Sequence, residues 1–137
     1  MKAAATLLVV LQIVLASAGQ TQTCEVISDA IRHERIANVY GQEASCAWSL
    51  NAQGGTSRAC FWEFGFRSEG ALRAYRDLRL ELVACADGPV AHGKQSVNHP
   101  DSYVQTEGRV LGAEVSVALK DKASLGRTLV VLRYGVD

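Results

Sequence analysis

The chain has no excess of charge of either sign. Its 137 residues include 14 Lys and Arg and 14 Asp and Glu. Loss of the first 18 residues, whose only charge is Lys2, leaves 13 basic and 14 acidic residues and a net charge of −1. Domains that bind nucleic acid or anionic membranes through electrostatics normally carry a basic excess. The even balance predicts no nucleic-acid partner.

The chain also lacks the short motifs that carry common chemistries. It contains no Gly-x-Ser-x-Gly elbow, no phosphate-binding loop, no dinucleotide fingerprint and no calcium loop. No Cys-x-x-Cys pair is present, which argues against a thioredoxin-like redox role, and no two cysteines lie two to four residues apart as in zinc sites. We therefore expect no cofactor and favour a non-enzymatic protein over an enzyme.

Three histidines are the remaining candidates for a catalytic or metal site. His33 falls in a predicted helix, whereas His92 and His99 fall in a polar segment that also contains Asp101. A site formed by His92, His99 and Asp101 requires that the segment bring them together, and no rigid spacing holds them there. We interpret them as solvated turn residues and predict no metal site. A small hydrolase that uses His99 and Asp101 is the enzymatic alternative.

A long apolar run occurs only at the start of the chain. Residues 3–15 are almost entirely apolar, Lys2 precedes them, and Ala16-Ser17-Ala18 follows as a small-x-small cleavage motif. This pattern is typical of a secretory signal peptide and is too short to span a bilayer comfortably, which takes about 20 residues. We predict a signal peptide over 1–18 and a single domain over 19–137. The mature domain is expected to be periplasmic or secreted, with no membrane span.

The cysteines are expected to form two disulfides. They are Cys24, Cys46, Cys60 and Cys85. An even number in a small exported domain indicates a disulfide framework, and four cysteines allow three pairings. A hairpin register that places Leu50 opposite Thr56 also places Cys46 opposite Cys60, within bridging distance. We therefore predict the pairs Cys46–Cys60 and Cys24–Cys85.

Hydrophobic periodicity predicts two helices and five strands. The helices cover residues 24–37 and 69–86, the second with Ser68 as N-cap. The strands cover residues 46–50, 60–66, 103–110, 114–119 and 128–134. The last is apolar on both faces and should be central. Residues 36–40 fit a helix or a strand, and residues 90–101 fit a loop. The order α-β-β-α-β-β-β predicts an α+β fold with both helices on one face of a mostly antiparallel sheet.

The second helix is strongly amphipathic. Tyr75, Leu78 and Leu82 are expected to face the sheet. The opposite side carries Arg73, Arg76, Arg79, Asp77 and Glu81. An anion-binding arginine stripe is one interpretation of that side. We favour a solvated face with i,i+4 ion pairs, such as Glu69 with Arg73 and Arg73 with Asp77.

Two tryptophans and one charged turn complete the candidate features. Trp48 and Trp62 are each in phase with a cysteine on their own strand, so we predict that both pack in the core beside the disulfide. An exposed aromatic platform is the alternative. The turn over residues 119–127 is charged, a composition that is typical both of functional loops and of plain solubilising turns.

These observations favour one class of function. We expect a small exported, disulfide-stabilised, non-enzymatic module that binds a protein or a component of the cell envelope. The alternatives are a small secreted enzyme of hydrolase type, with a site that no motif reveals, and an inhibitor of a secreted enzyme.

Overall fold

A computed structural model of the chain describes residues 24–50, 54–95 and 102–136, and its main feature is a six-stranded antiparallel sheet. The strands are β1 Ala44–Leu50, β2 Thr56–Gly65, β3 Ala91–Gln95, β4 Tyr103–Val110, β5 Ala113–Lys122 and β6 Arg127–Val136. The helices are α1 Glu25–His33 and α2 Glu69–Cys85. The predicted signal peptide lies outside the described residues.

The predicted α+β class is confirmed, with one strand more than expected. The order across the sheet is β1-β2-β6-β5-β4-β3, so β1 and β3 are the outer strands. The predicted central position of β6 is also confirmed, because β6 pairs with β2 on one side and β5 on the other. The sheet therefore has its most apolar strand near its centre.

One face of the sheet carries both helices and the core. Alternate strand residues reach it, so the facing residues of three adjacent strands, Cys60, Leu132 and Val117, stack in one row. Helix α2 contributes Leu78 and Leu82 to this core, which confirms the predicted inner side of that helix. Ser68 starts α2 as predicted, since its Oγ accepts a hydrogen bond from the amide of Ala71 at 3.3 Å.

Helix α1 is held to α2 by one covalent and one polar contact. The Cys24–Cys85 disulfide joins the start of α1 to the end of α2. One turn earlier on α2, the Glu81 carboxylate accepts a hydrogen bond from the Ile27 amide at 2.8 Å. The prediction that Glu81 lies on the solvated side is therefore wrong: it is buried, because the first turn of α1 brings backbone donors that need an acceptor. Burial raises the pKa of Glu81 above its ordinary value.

The end of α1 and the segment that follows it also differ from the prediction. Helix α1 ends at His33 instead of residue 37, because Glu34 adopts a left-handed conformation with φ of 54° and closes the helix. Residues 36–40 continue neither the helix nor a strand. Val39 forms an isolated bridge with Gln42 across a turn in which Gly41 has φ of 77°.

The loop predicted over residues 90–101 contains strand β3, which is a correction. Ala91–Gln95 pairs antiparallel with Tyr103–Glu107 of β4. Among the described strands it pairs only with β4, and its sequence shows no apolar alternation that would reveal a strand. Residues 96–101, including His99 and Asp101, lie outside the described residues.

Two leucines on α2 test the assignment of its buried side. Leu82 is fully buried in the core, whereas Leu72 is exposed on the same helix. We expect Leu82→Ala to lower the free energy of unfolding by about 2–5 kcal/mol, since it opens a cavity. Leu72→Ala, the same chemical change at an exposed position, should cost about 0.5 kcal/mol or less. Chemical denaturation of both variants measures the difference, and equal losses would contradict the packing.

Candidate functional site

Among the described strands, β1 is the outermost on one side of the sheet, and none of them pairs with its outer edge. The Cα atoms of Cys46 and Cys60 face each other at 4.0 Å, which fits a pair without hydrogen bonds between the two residues. The amide and carbonyl groups of Cys46 therefore point away from β2, and by alternation those of Ala44, Trp48 and Leu50 do as well. The strand contains no charged residue and no proline. It thus lacks the usual features that protect an edge from pairing with another chain.

The prediction that both tryptophans are buried is half wrong. Trp62 is 0% exposed, and its indole Nε1 donates to the Ala37 carbonyl at 3.1 Å. Trp48 lies on the same helix-bearing face of the sheet, yet it is 53% exposed, and Leu50 beside it is 77% exposed. The physical reason is position: β1 is the outermost strand, beyond the side chains of α1 and α2 that cover β2 and β6.

The exposed Trp48 ring is nevertheless held in place. The Arg58 guanidinium lies 5.7 Å from the centre of the ring, within cation–π range, and the Tyr134 ring meets it edge-on with centroids 6.4 Å apart. Arg58 itself donates through Nη1 to the Glu34 carbonyl at 3.0 Å and to the Tyr134 hydroxyl at 3.4 Å. Trp48 therefore presents a fixed, partly open indole to solvent.

The predicted disulfides are both present, and one of them secures this strand. Cys46–Cys60 joins β1 to β2 across a sequence separation of 14, and Cys24–Cys85 spans 61. Closing the shorter loop lowers the entropy of the unfolded chain, which stabilises the fold by about 3 kcal/mol in the chain-entropy model. Cys60 is buried while Cys46 is exposed. We call the unpaired edge of β1, together with the side chains of Trp48 and Leu50, the β1 edge surface.

The histidines are dispersed in the described part of the chain. His33 is exposed at the end of α1. His92 lies on β3, where its Nδ1 is 3.0 Å from the hydroxyl oxygen of Thr106. A site with His99 and Asp101 cannot be placed, since those residues lie outside the described ranges. Within 24–50, 54–95 and 102–136, no three His, Cys, Asp or Glu side chains gather as metal ligands.

The arginines of α2 do not form one continuous stripe. Arg73 lies over the ring of Tyr40, 5.6 Å from its centre. Asp77 pairs with Arg76 at 3.0 Å and accepts a hydrogen bond from the Tyr40 hydroxyl, which lowers the pKa of Asp77. These contacts stand in place of the predicted i,i+4 pairs. Arg76 and Arg79 instead line a cleft of about 250 Å³ against β3 and β4.

The helix-free face of the sheet holds the larger depression, of about 460 Å³. Its charged lining residues are Glu107, Glu114, Arg109 and Arg133. Both signs are present in equal number, and Arg109 already donates to the Gly112 carbonyl at 2.9 Å. The charges of this depression therefore select no class of ligand.

The charged segment over residues 119–127, predicted as a turn, is only partly one: residues 119–122 complete β5, and Ala123–Leu125 form a short 3-10 helix. Its β5 part contains a structural anchor. Asp121 is buried and accepts hydrogen bonds from Arg67 at 2.9 Å, Ser102 at 2.8 Å and Thr128 at 2.7 Å. Burial alone would raise the pKa of Asp121, but the hydrogen bonds from Thr128, Ser102 and Arg67 outweigh it and lower the pKa. The carboxylate, which lies on β5, thus connects the segment after β2, the residue before β4 and the start of β6. Sequence reasoning missed this role because the donors are distant in the chain.

Comparison with protein families, characterised proteins and solved structures finds no match to this chain. Its function is accordingly inferred from its own surface. Among the described helices, neither has both the length and the apolar character that crossing a membrane requires.

The Asp121 anchor predicts a pH-dependent loss of stability. Because the folded-state pKa lies below the ordinary value of 3.8, the ionised carboxylate stabilises the fold above that pH, and this contribution is lost as the pH falls through the folded pKa. At pH 7, Asp121→Asn should lower the free energy of unfolding by about 1.5–3 kcal/mol. The difference in the free energy of unfolding between variant and wild type should become smaller below pH 3.8.

Urea denaturation from pH 7 to pH 2.5 measures this gap. The control is Asp29→Asn, which removes an exposed carboxylate 3.9 Å from Arg35 and should cost less than about 1 kcal/mol at pH 7. A gap for Asp121→Asn that widened on acidification would contradict the assigned direction of the pKa.

Proposed function

We propose that this protein is an exported, disulfide-stabilised, non-enzymatic module that binds an extended segment of another protein along the β1 edge surface. The observation that carries the proposal is an unpaired, uncharged outer strand that also bears an oriented, exposed tryptophan. Export is supported by the signal-like pattern of residues 1–18 and by the two disulfides.

Binding would proceed by strand addition. The outward amide and carbonyl groups of alternate β1 residues supply backbone hydrogen bonds to the added segment, which give affinity without specifying its sequence. Trp48 and Leu50 lie two residues apart on one face and offer contact to apolar side chains of the partner. The opposite side of β1 carries only Ser45, Ala47 and Ser49, which leave room for larger side chains. The partner segment is therefore expected to be extended, uncharged and apolar on one side.

The existing order of the surface favours binding. Arg58 and Tyr134 hold the Trp48 ring before any partner arrives, and the Cys46–Cys60 disulfide holds the strand itself. Side chains that are already immobile lose less conformational entropy on association. Oriented tryptophans are also among the residues that contribute most to binding at protein interfaces.

The first experiment locates the partner on the surface. A photo-crosslinking side chain is placed at Leu50, and for comparison at Leu125, which is also exposed but lies before β6. In cells that express the full chain, we expect a discrete adduct with another protein at Leu50 and not at Leu125. Equal adducts at both positions would contradict the proposal. An adduct of twice the chain mass would identify a second copy as the occupant and would also overturn it.

The second experiment measures the contribution of each group with the crosslinked peptide as ligand. Trp48→Ala should raise the Kd by about 30-fold, because loss of a central tryptophan costs about 2 kcal/mol or more. Leu125→Ala should leave the Kd within about twofold. Leu50→Pro should weaken binding more than Leu50→Ala, since only proline removes the outward amide donor. Thermal unfolding of each variant separates loss of the surface from loss of the fold.

A further inference from the structure

The two disulfides differ in how far their cysteines are exposed. Cys46 is exposed on the outermost strand, whereas its partner Cys60 is 0% exposed. Cys24 and Cys85, which form the other disulfide, are both half-buried. Cys46 is therefore the most exposed of the four cysteines.

The two sulfur atoms of Cys46–Cys60 also differ in the direction from which a thiol would reach them. A thiolate attacks a disulfide sulfur in line with the S–S bond, from the side opposite the sulfur that leaves. Because this bond joins β1 to β2, the side for attack on Cys60 faces β6, where the fully buried Leu132 lies opposite Cys60. The side for attack on Cys46 faces the outer edge of β1, with which none of the described strands pairs. A thiol reductant therefore attacks at Cys46.

Little apart from this disulfide and the ladder with β2 holds β1 in place. Six of its seven residues are exposed, and Ala44 is half-buried. The side chain of Trp48 contacts Arg58 and Tyr134, but Trp48 remains 53% exposed. Segments that bury little apolar surface and expose their hydrogen bonds to water open locally at a low cost in free energy. The attachment of β1 thus depends strongly on its covalent tie.

Helix α1 depends less on its own disulfide. Ile27 and Ala30 of this helix are both fully buried in the core. The hydrogen bond from the Ile27 amide to Glu81 is a further tie that involves no sulfur atom. Opening of Cys24–Cys85 is therefore expected to leave α1 packed, whereas opening of Cys46–Cys60 frees an outer strand.

We propose that Cys46–Cys60 is a redox switch for the β1 edge surface and that a dithiol reductant opens it. This inference rests on the proposed function of that surface. An exported domain meets oxidising surroundings, so the closed disulfide with β1 in place is the resting state. Reduction releases β1 from β2. It thereby removes the aligned backbone groups and the oriented Trp48 ring with which a partner segment would pair.

The exchange takes place in two steps. A thiolate of the reductant attacks Sγ of Cys46 and forms a mixed disulfide with it, which expels Cys60 as a thiolate that takes up a proton. The second thiolate of the reductant then attacks the reductant sulfur of the mixed disulfide. This step closes a disulfide within the reductant and expels Cys46 as a thiolate, which is protonated in turn. The protein gains two electrons and two protons, and the dithiol loses the same number.

Titration with dithiothreitol tests the switch on the full chain, purified with both disulfides closed. Alkylation and peptide mapping at each concentration should find Cys46–Cys60 open before Cys24–Cys85. Amide hydrogen exchange then reports on the strand, because the Ala47 amide faces β2 by alternation along β1. We expect this amide to exchange about tenfold faster or more after reduction, while the Leu132 amide of β6 stays within about twofold.

Two double variants separate release of the strand from general unfolding. In Cys46→Ala/Cys60→Ala, dithiothreitol should no longer change the exchange of Ala47, because the tie is already absent. In Cys24→Ala/Cys85→Ala, it should accelerate that exchange as in the wild type. The proposal is overturned if Cys24–Cys85 opens first in the wild type. It is also overturned if reduction leaves Ala47 protected, or if Leu132 loses protection to the same extent.

A binding measurement separates the switch from the proposed function. For the peptide captured by crosslinking at Leu50, we expect reduction of the wild type to raise the Kd about tenfold or more. An unchanged Kd would overturn the switch and leave strand addition intact. The absence of any adduct at Leu50 would overturn the proposed function, whereas the exchange of Ala47 decides by itself whether reduction releases β1.

Discussion

The helices of this protein are too short to cover the sheet against which they pack. The nine residues of α1 rise about 13 Å, whereas the ten residues of β2 extend about 33 Å. The chain completes the cover of β2 with the irregular segment after α1, through the contacts of Ala37 with Trp62 and of Glu34 with Arg58. The cover reaches Ala44 at the start of β1, which packs against the core, but it leaves Trp48 and Leu50 exposed. Trp48 is exposed because neither helix is long enough to cover this part of the sheet.

Polar and covalent ties compensate for the limited apolar cover. The short α1 is secured by the Cys24–Cys85 disulfide and by Glu81, a buried carboxylate whose pKa is raised by desolvation. Because this pKa is raised, the ionised form of Glu81 costs stability relative to an exposed glutamate, and this cost disappears as acidification protonates the group. Asp121 acts in the opposite direction, since its hydrogen bonds favour the charged form. The fold keeps both carboxylates because each satisfies backbone or side-chain donors that would otherwise be buried without partners.

The sequence predicts the helices and strands well, and also which residues share a face of each. It does not predict where each strand lies across the sheet. The alternation of side chains along a strand predicts that Cys46 lies opposite Cys60. The helical period predicts that Leu82 is buried while Leu72 is exposed. Both patterns follow from local backbone geometry. Trp48 and Trp62 occupy the same local pattern, Cys-x-Trp, yet one is exposed and the other is buried. Their difference arises from the order of strands in the sheet, which is a property of the whole fold. Strand β3 was missed for a related reason, since an outer strand needs no apolar alternation.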